Sequence, residues 1–158
     1  VNSAVSTPPD DEGFWKDFLT MSSFFSPAVN PAQRHLGISS RDIFRLLGEY
    51  FGRKAAEKLR AEDLVSLVSE LADFWKKTGI AKIEVDPEPP MRLIIRDCAV
   101  CGQTPETGRL FNCVFHEAFI ESALSTKMGR KVHVRQEFGM EGGAGTWTRR
   151  YSIDINPP

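Results

Sequence analysis

The hydrophobic period changes from helical to alternating near Gly79, and that change limits the architecture more than any other feature. Up to that point apolar residues recur every three or four positions. From Ile80 onward they alternate, broken by a single further helical stretch. Ser40 to Leu59 reads as a helix with Ser39 or Ser40 as N-cap, turning Ile43, Phe44, Leu47, Tyr50, Phe51 and Leu59 inward. Asp63 to Lys77 reads as a second helix, stopped at Gly79, that buries Leu64, Leu67, Val68, Leu71, Phe74 and Trp75. An earlier helical face spans Gly13 to Phe25 through Phe14, Trp15, Phe18, Leu19 and Met21, before Ser26-Pro27 and Asn30-Pro31 break it.

After the change, Ile80 to Val85 sets Ala81, Ile83 and Val85 against Lys82 and Glu84, as a half-buried strand does. The proline-rich Asp86 to Pro90 connects it to a returning strand, Met91 to Arg96. Cys113 to Met128 predicts a further helix, with Asn112 as candidate cap and Gly129 as stop. Val132 to Phe138 and Trp147 to Ile155 form the last two strands, around the glycine-rich loop Gly139 to Gly145. Helices and hairpins are segregated, so the expected class is α+β, with an antiparallel sheet of about four strands against about four helices. Residues 1–12 are small and polar and read as a flexible leader, and residues 13–158 as a single domain.

Composition removes several function classes. Apolar residues make up 41% and charged residues 26%, which excludes a disordered chain. Twenty basic residues against twenty-one acidic ones give no electrostatic footprint for nucleic acid. No apolar run approaches the ~20 residues of a membrane span, and no signal peptide is visible, so the expected location is cytoplasmic. There is no nucleophile elbow, phosphate loop or paired-carboxylate motif, and the loop from Gly139 leads into a strand rather than a helix. A non-enzymatic role is therefore expected.

The strongest chemical signal is a cluster of all three cysteines between residues 98 and 113. Cys98-Ala99-Val100-Cys101-Gly102 has the form of a metal knuckle, whose tight turn aims two sulfurs at one point. Cys113 and His116, three apart in the opening turn of a helix, project to one side and can complete a tetrahedron. The expected ligand set is Cys98, Cys101, Cys113 and His116 around a zinc ion. Four protein ligands leave no open position, as in structural sites. Asp97, Glu117 or His133 are alternatives to His116, and free buried thiols or a redox pair of Cys98 and Cys101 are the other readings. His133 shares a face with Lys131 and Arg135 and reads as solvated.

The aromatics suggest a second site. Phe44, Phe51, Trp75, Phe115 and Phe119 fall at inward positions and are candidate lining of an apolar pocket between helices and sheet, with plain core packing as the alternative. Gly48 and Gly52, four apart, bare one helix stripe, which implies either close helix packing or a cavity. Arg149 alternates with Trp147, Tyr151 and Ile153 on the apolar side of the last strand, where it would snorkel at a sheet edge or meet an acidic ligand group.

Residues 40 to 155 resemble a four-vinyl-reductase (4-vinyl reductase) domain. The resemblance runs through LLGEYFGRKAAEKL, LVSELADFWKKTGIAKIEV, MRLIIRDC and CVFHEAFIESALSTKMGRKVHVRQEF. It implies the fold of subunits of the transport-protein-particle trafficking complex, a buried apolar cavity, a homodimer, and a role as a hydrocarbon-binding protein or sensor. Some members of that family hold zinc near the pocket. The family's usual late stretch of the Gly-Asp-x-x-Cys-x-Phe type is replaced here by Gly142-Gly143-Ala144-Gly145-Thr146-Trp147, so the late cysteine is missing. Cys98 and Cys101 would take its place, and Cys113, at the start of the matching helix, carries over most directly. Two other roles follow from the same resemblance: a ligand-free protein-interaction module, and an accessory protein in tetrapyrrole vinyl reduction.

Overall fold

A computed structural model of the protein describes residues 13, 40–77, 82–96, 112–137 and 148–155. In chain order they form α1 (Ser40–Ala56), α2 (Leu64–Lys76), β1 (Lys82–Asp86), β2 (Arg92–Arg96), a π-helical turn (Asn112–His116) that runs into α3 (Glu117–Met128), β3 (His133–Glu137) and β4 (Thr148–Asp154). The class is α+β, as the change of period implies. The expected helix from Gly13 to Phe25 falls, apart from the helical Gly13, outside the described residues, as does the loop from Gly139 to Gly145.

All strand pairs are antiparallel, in the order β1-β2-β4-β3. The two hairpins therefore join through β2 and β4, with Leu93 opposite Tyr151 and Ile95 opposite Arg149. Period-2 alternation puts Ile83, Leu93, Ile95, Tyr151, Ile153 and Val134 on one face, all buried, where the helices cover them. On the other face Arg92 of β2 reaches across β4 to Glu137 of β3, with Nε to Oε1 at 2.8 Å. Removing each large core side chain from water contributes on the order of 1.5–3 kcal/mol.

Local chemistry sets the helix ends. The Asp63 carboxylate accepts from the Ser66 amide at 2.9 Å and caps α2. Gly129 closes α3 in the left-handed region, at φ +65. α1 stops at Ala56, three residues before the expected Leu59. There the Lys58 and Leu59 amides turn back to Ala55 and Ala56, and Glu70 of α2 accepts from the amides of Arg60 and Ala61 at 2.8 to 3.0 Å. The π-turn runs into α3, so the N-cap position falls at His116, which makes no side-chain cap bond.

The glycine stripe of α1 is a contact and not a cavity. A Cβ on Gly48 would lie 2.6 Å from the Phe115 carbonyl oxygen, and one on Gly52 would lie 2.5 Å from that of Phe119. α1 and α3 thus approach backbone to backbone. This corrects the expected inward face of α1: Tyr50 is exposed, and Ile43 and Leu47 are only half-buried. The buried arc is centred on Phe44, Gly48, Phe51, Gly52 and Ala55, and at about 100° per residue Tyr50 falls on the far side.

Candidate functional site

The π-turn and the first turn of α3 deliver the rings of Phe115 and Phe119 and the imidazole of His116 into the core. Within the π-turn one extra residue per turn widens the helix, a geometry often found at functional sites. Phe115 and His116 follow one another in it and are both buried.

His116 is enclosed by rings. Its centroid lies 4.9 Å from that of Trp75, edge to face, and 6.0 Å from those of Phe115 and Tyr151. Trp75 also meets Phe119 at 5.0 Å, Phe119 stacks with Phe115 at 6.0 Å, and Phe51 of α1 approaches Phe115 at 6.5 Å. Phe44 is buried in the same core. All five residues expected to line an apolar pocket are therefore in one core, four of them linked ring to ring, and the described side chains pack directly against one another.

A polar contact stands within this apolar surround. His116 Nδ1 lies 3.3 Å from the Tyr151 hydroxyl, with both side chains buried. A buried imidazole needs such a partner. Periodicity sets Tyr151 on the apolar face but marks no role for it, because its partner lies 35 residues away.

Arg149 faces the same way, two residues along β4 from Tyr151, and is 5% exposed. The expectation that it snorkels at a sheet edge is corrected: β4 lies between β2 and β3, so Arg149 sits on an interior strand.

The expected metal ligands are only partly placed. Cys98 and Cys101 lie outside the described residues, as does Asp97. Cys113 is located by its backbone in the π-turn, three residues before His116. Among the described residues no three His, Cys, Asp or Glu side chains gather as a metal site. Of the alternative fourth ligands, Glu117 accepts from the Gln136 amide at 3.2 Å, and His133 stands half-buried on β3 opposite Asp154.

No family model matches the chain. Two uncharacterized proteins of Methanocaldococcus jannaschii are similar to it. MJ1642 is 24% identical over 102 residues, 65% of this chain and 58% of its own length. MJ0150 is 28% identical over 119 residues, 74% of this chain and 66% of its own length. The chain thus spans less than two thirds of these relatives. Among solved structures, the phenol-responsive sensory domain of the transcription activator PoxR, crystallised with phenol, superposes with a TM-score of 0.56 at 14% identity, over 83% of this chain and 73% of that one. At that identity the likeness is one of fold. The chain shares the α+β fold of that domain.

Proposed function

We propose that this domain is a non-enzymatic sensor or carrier that takes up a small apolar or aromatic molecule between its helices and sheet. The observation that carries this reading is the buried His116–Tyr151 pair inside the rings of Trp75, Phe115 and Phe119. Ligand sites of this kind combine mostly apolar walls with a few placed polar groups. The fold of a phenol-responsive sensory domain supports the reading, as does the resemblance to 4-vinyl reductase domains. No helix among the described residues is long and apolar enough to cross a membrane, in keeping with a cytoplasmic role. The test is native mass spectrometry of the purified chain, followed by titration with substituted phenols and aromatic hydrocarbons against tryptophan fluorescence. A co-purified or saturably bound aromatic supports the reading. A chain that binds none of them, while remaining folded, refutes it.

A structural zinc belongs to the same proposal. Three thiolates and an imidazole form the borderline-soft donor set that zinc prefers. Metal-bound histidines usually hand their second ring nitrogen to an oxygen, which fits the contact of His116 Nδ1 with Tyr151. In this reading Cys98, Cys101, Cys113 and His116 hold the ion, which would supply only a cross-link. Elemental analysis after growth with adequate zinc tests it: one equivalent of metal supports the site, and none removes it.

A second reading, an interaction module working as a homodimer, is favoured by one specific feature. Leu46 and Tyr50, one turn apart on the outward side of α1, are 64% and 50% exposed. Analytical ultracentrifugation of wild type and the Leu46→Glu/Tyr50→Glu variant tests it, since a dimer joined through this face would dissociate in the variant.

A further inference from the structure

α3 has a second working face, turned away from the aromatic core. Together with α1 and β3 it borders an open groove of about 600 Å³, within the range of small-molecule sites. Four cationic side chains line the groove: Arg45 and Arg53 from α1, Lys131 from the approach to β3, and Arg135 from β3 itself. Three carboxylates, Glu49, Glu117 and Glu121, line it too.

Those carboxylates already have partners. Glu49 faces Arg45 Nε at 3.5 Å. Glu121 pairs with Lys131 and accepts from the Val134 amide at 3.2 Å. Glu117 accepts from the Gln136 amide, also at 3.2 Å. Arg53 and Arg135 are different: both are exposed, and neither makes an ion pair among the described residues. Each offers a planar fork of donors, suited to the two oxygens of a phosphate or carboxylate. They line the groove from different elements, α1 and β3.

We propose that this groove binds a small anion carrying phosphate or clustered carboxylate groups, clamped by the guanidinium groups of Arg53 and Arg135. The occupant is small because only one cation is in excess along the lining, and the carboxylates would repel the extended backbone of a nucleic acid. The groove is open to solvent, so binding is modest and weakens as salt rises. The site is separate from the aromatic cluster and does not depend on the function proposed for it.

Isothermal titration of the full chain with pyrophosphate and with citrate, at low ionic strength, tests the proposal. Saturable one-to-one binding of at least one of them is expected, weakened about tenfold or more in the Arg53→Gln/Arg135→Gln variant, a loss in line with charge-assisted hydrogen bonds. The Lys76→Gln/Lys77→Gln variant, altered at exposed cations outside the groove, is expected to bind as wild type does. In wild type, the largest ¹⁵N–¹H shifts on titration should fall on the Arg53 and Arg135 side chains and the Thr126 amide. Absence of saturable binding, equal weakening in the two variants, or shifts centred elsewhere would overturn the proposal.

Discussion

His116 Nδ1 stands 3.3 Å from the hydroxyl of Tyr151, a contact between the opening turn of α3 and an interior strand of the sheet, with both side chains 2% exposed or less. It is a buried polar joint between the helical layer and the sheet. Removing the Tyr151 hydroxyl takes a hydrogen-bond partner from a buried imidazole, whereas removing both polar groups leaves two apolar side chains in contact. Tyr151→Phe should therefore lower stability by about 1–2 kcal/mol in urea unfolding. His116→Leu should cost a similar amount, and the double variant less than the two together. Strict additivity would show that the two groups do not interact.

The Gly48 and Gly52 contacts lead to a prediction opposite to helix propensity. Alanine is the better helix former by roughly 1 kcal/mol. Here, however, each new Cβ would meet backbone oxygens of Phe115 and Phe119 that cannot rotate aside. Gly48→Ala and Gly52→Ala should each destabilise by about 1–3 kcal/mol, as overpacked cores do. Thermal melts that rise instead would show that α1 and α3 are not in such close contact.

Glu117 and Glu121, one turn apart on α3, accept from the Gln136 and Val134 amides of the edge strand β3. Edge strands left with open amides invite pairing with other chains. Glu117→Ala/Glu121→Ala should speed amide exchange at Val134 and Gln136 by roughly tenfold, in keeping with the net worth of a hydrogen bond to a charged group. It should also promote concentration-dependent self-association. Unchanged exchange at both amides would count against this role for the two carboxylates.

Asp63 connects α2 to pH. The hydroxyl and then the amide of Ser66 hold its carboxyl below the usual carboxylate value of 3.8. The folded-state value is depressed, so the stabilisation is complete above the unfolded value and is lost as pH falls through the folded one. Asp63→Asn, which keeps a capping oxygen but no charge, should flatten the acid limb of stability below about pH 4 while changing neutral stability little. Asp63→Ala should lower the melting temperature at neutral pH as well. Acid limbs that coincide for wild type and Asp63→Asn would refute the assignment.

Much of the fold could be read from periodicity because helices and strands bury one face each, and the spacing of Leu67, Leu71, Phe74 and Trp75, or of Leu93 and Ile95, states which face that is. Gly129 marks a helix end for an equally local reason, since its left-handed φ suits glycine. The same holds for the candidate pocket residues, whose burial follows from their helix positions. Which strands join the two hairpins, and hence that Arg149 lies inside the sheet, was decided only by tertiary structure, because β2–β4 pairing spans some sixty residues with no local signature. The true inward face of α1 was hidden for a related reason. Its closest contacts are made by two residues without side chains, and a hydrophobic pattern cannot register an atom that is missing. The spacing of apolar residues determined most of the residues that leave water, with Tyr50 of α1 an exception. Long-range packing decided which of them meet, and so brought a histidine on a helix to a tyrosine on a strand.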